Sequence, residues 1–600
     1  ENEVVHQSAI NGMVGIHGVL FDPFAKRMLV MGGWQAKREG DAAPAVGVMA
    51  IQNGKESLLQ ARIGDYLAGS PAVALAKNEA GYRPLVVPLT ASNEVAVLDA
   101  DSGGLRSRVS VGVAPFGSVV SRDGRFAYVS NWGGRQPRSG DRTLTSGSGP
   151  GDWQSPLAKA DPVVVDEKGA AASGTVTRID LVTGRMTHDI ETGLHPNGLA
   201  WDEKVGRLYV ANNNSDTVSV VDTQTQRVLA TIALKPWGLT GLGVAPSAIA
   251  LSPDGQNIFV ACSGLNAIAV IDPVRNSVRG YIPTAWYPTS VQVSADAKSL
   301  LVGSAFGYGY PVGQSKKRKP NFDFRGAASL IPIPDEDQLA SYTAAVRENN
   351  RLPMPELNPR SKKAKAIPVP LRAGEPSSIK HVVYIIKENK TYDSYFGDLT
   401  EGNGDPGLLL YGDKIIPNHR KLAREFVLLD NLYSNGRNSA DGHQWLTQAI
   451  ATGYVWWPGY AGRSKPFTGN DPLAVSSAGA IWDSAARKGH EIAVFGEYIP
   501  DRPRFREAER RQNLLDWMNG KPLDGEPKTH ARNPALDRHV IHNYPVWDLR
   551  YPDVVRADLF LKQLGVWESR SRMPALSIVQ LPGDHGKGSD PGVSTMNAFV

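Results

Sequence analysis

Apolar and polar residues alternate with a period of two through much of the first half of the chain. One such stretch, GLHPNGLAWDEKVGRLYVANNNSDTVSVVD at residues 193–222, recurs at residues 243–272 as GVAPSAIALSPDGQNIFVACSGLNAIAVID. Related copies begin at Gly112 and Ala285. Another copy surrounds Pro71, and an early one extends from Val14 to Gly33. Period-two alternation broken by turn residues predicts antiparallel strands, and a repeat of about 40–45 residues matches a propeller blade. The pattern therefore predicts an all-β propeller in residues 1–335, with about seven blades if the N-terminal segment adds one to the six visible copies.

Two insertions interrupt this repeat. Residues 133–162 are rich in Gly, Ser, Pro and charge, which predicts a long surface loop without a core of its own. Residues 307–326 contain a basic run from Lys316 to Lys319. That run is either a solvated loop tip or a contact for an anionic substrate or partner.

The alternation ends near residue 335. Pro, Lys, Arg and Glu dominate residues 336–378, apart from one helical patch, and this composition predicts an interdomain connector. Residues 379–600 then form a second predicted domain of the α/β class. The chain is therefore expected to be multidomain.

Polar residues follow an apolar run at the start of the second domain. The run HVVYII at residues 381–386 predicts a strand buried on both faces of an α/β sheet. Glu388 and Asn389 come directly after it, at the carboxyl end, where ligands bind in open α/β sheets. An adjacent carboxylate and amide oxygen suit a hard divalent cation, although such a pair also serves as a turn or helix cap.

A second apolar run, FVLLD at residues 426–430, predicts another strand and leads to a helix that Ser439 opens. Ser439 can act as an ordinary N-cap, or as a hydroxyl placed for attack on phosphorus at a helix end that favours anions. His443 follows one helical turn later. It is either a satisfied structural histidine, at the surface or in the core, or a functional residue on the same helix face as Ser439. A third run, ALSIVQL at residues 575–581, ends beside Asp584 and His585, which offer metal ligands or a phosphate-orienting pair.

Net charge, cysteine count and the absence of long apolar runs exclude several kinds of partner and site. The 65 Lys and Arg residues against 60 Asp and Glu give a net charge of +5, too weak over this length to predict nucleic-acid binding. Cys262 is the single cysteine, so no internal disulfide or thiolate zinc site is expected, and we interpret it as a small buried apolar residue. No apolar run predicts a transmembrane helix. Because the chain starts at Glu1, we expect that a preceding segment has been removed.

The quoted motifs resemble two known families. LYVANNNSDTVSVVD, at residues 208–222, is similar to the blades of YVTN-type propellers. VVYIIKENKTYDSYFGD, at residues 382–398, resembles the opening of the phosphoesterase family of bacterial phospholipases C and acid phosphatases, within the alkaline phosphatase superfamily. LPGDHG, at residues 581–586, looks like a later element of that family, and residues 430–453 correspond more loosely to its nucleophile region, including Thr452 and Gly453.

This resemblance implies an alkaline-phosphatase-like α/β sandwich that hydrolyses phosphoric ester bonds, as a phosphatase, phosphodiesterase or phospholipase C does. Ser439 would be the nucleophile, and His443 and His585 would assist catalysis. Asn389 and His443 would bind the substrate. A divalent Zn, Mn or Ca ion would be held by Glu388, Asn389, Asp584 and His585.

The family usually continues into an acidic cluster and a later histidine, whereas this chain stops at Val600, so we expect its C-terminal domain to be truncated. The resemblance also implies a secreted protein, periplasmic or extracellular, with a propeller of unknown ligand. One alternative is a propeller-based binding or scaffold protein with a non-catalytic phosphoesterase-like domain. A catalytic propeller is disfavoured because its repeats carry no clustered His or carboxylates at matching positions.

Overall fold

The computed structural model of the 600-residue chain forms two compact units. The first comprises Glu1–Met354, Gln448–Pro466 and Asp471–Ala478, and the second comprises Pro355–Thr447, Phe467–Asn470 and Gly479–Val600. The structure describes residues 13–34, 45–65, 67–147, 160–238, 241–309, 326–352, 365–370, 374–387, 390–433, 435–436, 439–456, 471–499, 507–521, 529–547 and 551–584.

The first unit is a β-propeller whose described residues form six blades. Five blades are four-stranded antiparallel sheets and the last has three strands. In chain order the blades are β1 (Met13–Asp22), β2 (Arg27–Trp34), β3 (Ala45–Gln52) and β4 (Lys55–Asp65); β5 (Ala72–Val73), β6 (Pro84–Leu89), β7 (Glu94–Asp99) and β8 (Leu105–Ser110); β9 (Val113–Val120), β10 (Phe126–Gly134), β13 (Thr175–Asp180) and β14 (Arg185–Glu191); β15 (Pro196–Asp202), β16 (Arg207–Asn212), β17 (Thr217–Asp222) and β18 (Arg227–Ala233); β19 (Pro246–Leu251), β20 (Ile258–Cys262), β21 (Ala267–Asp272) and β22 (Ser277–Pro283); and β23 (Trp286–Val293), β24 (Ser299–Gly307) and β25 (Ala327–Pro332).

These six blades coincide with the six repeat copies in the sequence, one fewer than the seven predicted. The first blade draws all four of its strands from residues 13–65, so no described N-terminal strand is left to build another. The number of blades is therefore six over the part of the chain that the structure describes.

In most blades the middle strands are buried on both faces, although the middle strand β24 of the last blade exposes Leu301. Every residue of β20 is buried, whereas most of the outermost strand β18 is exposed. Each middle strand is sandwiched between neighbouring blades, and one core cluster joins Ala211 and Val218 to Val260 and Ala269 of the next blade. Burial of these apolar side chains between blades is the main favourable contribution to the stability of the propeller.

In several blades, a side chain in the turn between the second and third strands forms a hydrogen bond with the backbone where the next blade begins. The side-chain oxygen of an Asn or Asp with positive φ accepts the N–H of the residue before a proline at or near the start of the next blade's first strand. We call this contact the inter-blade clasp. Its three examples are Asn93 to Ala114 at 2.9 Å, Asp216 to Ala245 at 2.9 Å and Asn266 to Tyr287 at 2.8 Å.

The first insertion is more ordered than the sequence predicted. Part of it pairs as the antiparallel hairpin β11 (Thr143–Ser146) and β12 (Asp161–Val164). The hairpin residues inside the predicted loop are mostly exposed or half-buried, and the buried Val163 and Val164 lie just beyond it, so the hairpin is compatible with the predicted surface position. The insertion replaces the turn that carries the inter-blade clasp in other blades. The basic run Lys316 to Lys319 lies outside the described residues.

The helical patch of the predicted connector packs against the propeller. Helix α1 (Glu336–Asn349) begins at Asp335, whose side chain accepts the N–H of Gln338. Leu339 and Val346 are buried in the cores of the fifth and sixth blades and their neighbours. Thr343 Oγ1 accepts the N–H of Tyr281 at 2.9 Å. This helix therefore belongs structurally to the first unit.

The second unit contains a parallel sheet with the strand order β26-β28-β27. Its strands are β26 (Val382–Lys387), β27 (Ile492–Phe495) and β28 (Leu576–Leu581). The remaining helices of the chain are α2 (Tyr392–Phe396), α3 (Pro417–Glu425), α4 (Ser439–Gln448), α5 (Gly453–Trp456), α6 (Ile481–Arg487), α7 (Glu507–Met518), α8 (Pro534–Asp537) and α9 (Asp553–Ser569). Among the described helices, none has the length and apolar character needed to span a bilayer.

Two strand predictions in this unit need correction. β26 forms, but it is an edge strand, and Val382, Val383 and Ile385 are exposed instead of buried on both faces. Residues 426–430 do not form a strand, and Phe426 and Val427 are largely exposed. Both stretches have the composition of a sheet interior, but among the described residues β26 is covered on one face, through Ile386 and Tyr384, and residues 426–430 are mostly exposed.

Candidate functional site

The carboxyl ends of the three parallel strands meet at one edge of the sheet. Lys387 at the end of β26 pairs in register with Leu581 at the end of β28. Phe495 at the end of β27 pairs with Val579 of the same central strand. The segments that leave β26, β27 and β28 therefore start from the same edge, which is the position favoured for ligand binding in such sheets.

Most of the predicted metal ligands fall outside the part of the chain that the structure describes. Glu388, Asn389 and His585 are not among the described residues. Asp584 ends a 3₁₀ turn over Pro582–Asp584, and only its backbone is described. The predicted proximity of Ser439 to Glu388 therefore stays a prediction.

Helix α4 carries Ser439 and His443, the two predicted catalytic residues whose side chains are described. It begins at Ser439, as the sequence predicts, and His443 follows one turn later. Ser439, Asp441 and His443 are all buried. A buried hydroxyl at the start of a ten-residue helix lies where the backbone N–H groups and the helix dipole favour an anion.

A buried glutamate that the sequence analysis missed fixes the ring of His443. The Nδ1 atom of His443 lies 2.6 Å from Oε1 of Glu497, which is fully buried. The other carboxylate oxygen of Glu497 accepts a hydrogen bond from Gln580 Nε2 at 3.0 Å. Glu497 follows β27 after a single glycine, so it is a polar residue at a strand's carboxyl end. That is the signal already used for Glu388 and Asp584, and it could have found Glu497.

Gly496 gives the chain the sharp turn that presents Glu497. Its φ of +85° lies in the left-handed region, and a side chain there would contact the ring of Tyr544 at 3.2 Å. Tyr544 in turn donates its hydroxyl hydrogen to the carbonyl of Gln580 at 2.8 Å. Burial raises the pKa of Tyr544 far above its ordinary value, so this hydroxyl remains a donor. The ends of β27 and β28 are thus locked together around Glu497.

The turn after β28 is held by a buried ion pair. Asp553, at the start of α9, accepts the N–H of Gly583 at 3.0 Å and contacts Arg556 at 3.1 Å. Both charged side chains are fully buried. Arg556 also donates to the carbonyl groups of Pro545 and Val546. The backbone that leads to Asp584 therefore has a fixed position.

Two residues of the predicted nucleophile region belong to the first unit. Thr452 Oγ1 donates to the carbonyl of Leu473 at 3.0 Å, and the N–H of Gly453 donates to Asn213 Oδ1 at 2.9 Å. Asn213 is a propeller residue. Thr452 and Gly453 are thus assigned to the first unit, and Ser439 to the second.

The segment around these residues packs on aromatic side chains of the propeller. The ring centroid of Tyr454 lies 5.6 Å from that of Trp132, and the ring of Trp456 lies 4.8 Å from Tyr287 and 4.6 Å from Phe306. Tyr454 also donates to Asp471 Oδ2 at 2.6 Å. We call the described residues 448–456 and 471–478 the propeller-docked segment.

A buried histidine lies beside this aromatic cluster. The ring of His195 is 4.9 Å from that of Trp132, and neither ring nitrogen makes a hydrogen bond of normal geometry. Burial lowers the pKa of His195 to about 3, against a smaller opposing effect of Asn213. His195 is therefore neutral at ordinary pH.

Comparison with known proteins supports the propeller. The chain is 33% identical over 141 residues to the seven-bladed beta-propeller protein Rv1057 of Mycobacterium tuberculosis, a match over 23% of this chain and 31% of that protein. The chain thus spans about a third of the length of this curated relative. Hydrazine synthase of Kuenenia stuttgartiensis aligns over 55% of this chain and 99% of its own, with 14% identity and a TM-score of 0.30, too distant for a structural conclusion. No family model matches the chain. The six observed sheets and the curated relative together identify the N-terminal part of the chain as a β-propeller.

Proposed function

We propose that the second unit hydrolyses phosphate esters, with Ser439 as the nucleophile, and that the propeller binds or positions the substrate or a partner. The observation that carries the proposal is the buried contact between His443 and Glu497, one helical turn from Ser439. A hydroxyl, an imidazole and a carboxylate that orients the imidazole are the parts of an activated nucleophile.

Ser439 would attack the phosphorus atom of the ester. Its place at the start of α4 supports this role, since free backbone N–H groups and the helix dipole stabilise the negative charge of a phosphoryl group there. Attack forms a phosphoserine and releases the alcohol of the ester. Water then hydrolyses the phosphoserine and regenerates the hydroxyl.

His443 would carry the proton in these steps. Glu497 can only accept a hydrogen bond when ionised, so Nδ1 of His443 keeps its proton and Nε2 is left with the lone pair. Nε2 is thus the atom that can take a proton from an attacking hydroxyl and deliver it to a leaving oxygen. The negative charge of Glu497 stabilises the imidazolium that forms in between.

Glu388, Asn389, Asp584 and His585 would hold the Zn, Mn or Ca ion that the resemblance implies. The register of β26 against β28 supports this assignment, because the segments carrying these residues leave neighbouring strands at the same edge. Three oxygen donors and one imidazole are a ligand set that Zn²⁺ and Mn²⁺ accept. A bound ion would lower the pKa of the attacking hydroxyl and neutralise charge on the phosphoryl group.

The test is the hydrolysis of an aryl phosphate by the protein in the presence of Mn²⁺, Zn²⁺ or Ca²⁺, compared with Ser439→Ala. We expect activity that this substitution abolishes, and a phosphate adduct on the peptide containing Ser439 when the reaction is quenched. Ser484→Ala, an exposed serine of helix α6, is the matched control and should keep full activity. Activity that survives in Ser439→Ala would reject the nucleophile.

The competing function is that of a propeller-based binding protein with a non-catalytic second unit. Inactivity of the metal-loaded protein on phosphate monoesters, diesters and phospholipids, with no adduct on Ser439, would favour that function.

A further inference from the structure

Two histidines and an aspartate cluster on a short stretch of the second unit, away from the predicted metal ligands in the sequence. Ligand atoms of His530, Asp537 and His542 all lie within 4.8 Å of one another. We propose that these three residues bind a divalent transition-metal ion of the zinc class. None of these three residues is among those assigned to the ion of the proposed phosphoesterase chemistry, and the proposal does not depend on that chemistry.

The backbone holds the carboxylate of Asp537 in one orientation. Its Oδ1 atom accepts the N–H of Ala531 at 2.8 Å. Its Oδ2 atom lies 3.2 Å from Nδ1 of His530. Asp537 ends the short helix α8, whose N-terminus is capped by the side chain of Asn533. One carboxylate oxygen is thus used for positioning, and the other faces the histidine.

The tautomer of His542 is fixed in the form that binds a metal. Its Nδ1 atom lies 2.6 Å from the carbonyl oxygen of Thr529. A carbonyl oxygen can only accept, so Nδ1 carries the proton and Nε2 keeps its lone pair. Histidines that ligate metals usually donate their other ring N–H to a carbonyl or carboxylate in this way.

The scaffold beneath the cluster is anchored while its imidazoles can adjust. Ala531, Leu536 and Val540 are buried in the core of the unit. The N–H of Val494 in β27 donates to the carbonyl of His539 at 2.8 Å. The side chains of His530 and His542 are exposed, and their ring centroids are 4.4 Å apart.

Only a small movement is needed to complete the site. Ligands at about 2.0–2.1 Å in a tetrahedron lie about 3.3 Å from one another. Rotation of the exposed imidazole of His530, with His542 held by its contact to Thr529, would bring the donor atoms from within 4.8 Å towards that separation. Water or an external ligand would occupy the remaining position.

The donor chemistry selects the class of ion. Imidazole nitrogens favour Zn²⁺, Co²⁺, Ni²⁺ and Cu²⁺, whereas Mg²⁺ and Ca²⁺ prefer sites built from oxygen alone. Such an ion would bind residues near both ends of the segment Thr529–His542. These two ends already meet, because the N–H of Thr529 donates to the carbonyl of His542 at 2.9 Å. We infer that it stabilises the segment that flanks β27.

The test is a Co²⁺ titration of untagged full-length protein carrying Glu388→Gln, which weakens the other predicted site. We expect the visible absorption of Co²⁺ in a low-symmetry site to develop with one equivalent of the ion. Zn²⁺ should displace the Co²⁺ and abolish this absorption, whereas excess Mg²⁺ or Ca²⁺ should leave it unchanged. His530→Gln and His542→Gln should weaken binding by more than the roughly 10–100-fold that loss of an outer-shell partner costs.

His490→Gln is the matched control, since His490 is another exposed histidine of the same unit. Both ligand histidines are exposed, so the variants should fold, and circular dichroism checks that they do. Unchanged affinity and stoichiometry in His530→Gln and His542→Gln would overturn the proposal, as would an equal loss in His490→Gln. Because no substrate is used, these outcomes are independent of phosphoesterase activity.

Discussion

The imidazole of His443 and the carboxylate of Glu497 are in hydrogen-bond contact at 2.6 Å, in a place where the carboxylate has no access to solvent. A carboxylate buried in this way keeps the ring in one tautomer and favours its protonated form during proton transfer.

We expect Glu497→Gln to lower kcat for phosphate-ester hydrolysis by about 10²-fold or more, with little change in KM. The amide has nearly the same shape and can still accept from Nδ1, but it lacks the charge that stabilises the imidazolium. Steady-state kinetics on an aryl phosphate measure this effect. Glu491→Gln is the control, because Glu491 is an exposed glutamate just before β27. Equal rates for both variants would show that the Glu497 charge does not serve catalysis.

Cys262 should report the unfolding of the propeller alone. It is the single cysteine of the chain and is fully buried, as the sequence analysis predicted. Burial also raises the pKa of its thiol well above the ordinary value, so little thiolate forms. We expect a thiol reagent to label the native protein very slowly, and rapidly once denaturant unfolds the first unit. Rapid labelling without denaturant would mean that the core around β20 opens in the native state.

The inter-blade clasp should contribute measurably to stability. Asn266→Ala leaves the N–H of Tyr287 without its side-chain acceptor, which should cost about 1–3 kcal/mol. Asn276→Ala is a matched control, since Asn276 has the same φ of 51° in an exposed turn. Any strain of alanine at positive φ is thus common to both variants. Labelling of Cys262 against denaturant concentration measures the difference, and equal midpoints for the two variants would show that the clasp adds nothing.

His195 should make the propeller less stable in acid. Its pKa is about 3 in the folded protein, against an ordinary value of 6.5, so only the unfolded chain takes up this proton between those pH values. The neutral ring of His195 therefore costs the folded state nothing above pH 6.5. Below pH 6.5 this histidine lowers the free energy of unfolding by about 1.4 kcal/mol per pH unit, until the pH reaches about 3.

We expect His195→Asn to flatten the dependence of the free energy of unfolding on pH between 6 and 4. Asparagine suits this position because it tolerates the φ of 56° that His195 adopts. Denaturant unfolding followed at several pH values measures the slope. A variant with the slope of the parent protein would show that His195 is protonated equally in the folded and unfolded states.

The repeat made the propeller predictable, because the same alternation recurs from blade to blade and the same proline recurs in five of the six described blades. The burial of β20 on both faces, the clasp from Asp216 and the pairing of β11 with β12 were not predictable from one blade. Each depends on a neighbouring blade or on residues distant in the sequence. The exposed β26 was missed for the same reason: an apolar run predicts a strand but does not reveal which layers cover it.

One local feature of the candidate site was predictable. Helix α4 begins at Ser439 as expected, because the signals that start a helix lie within a few residues of its end. Glu497 was overlooked because it is a lone acidic residue after the short strand IAVF. Its importance depends on its contacts with His443 and Gln580, which are distant in the sequence. The roles assigned to Glu388, Asn389, Asp584 and His585 stay predictions.

The propeller-docked segment has a consequence for how this chain can be divided. Tyr454 and Trp456 come from sequence far beyond the last blade, yet they complete the aromatic cluster of Trp132, Tyr287 and Phe306. A gene fragment that stops at Met354 would leave those rings facing water and prone to self-association. Shuffling of this propeller between proteins, in the laboratory or in evolution, would have to carry a second and distant piece of coding sequence with it.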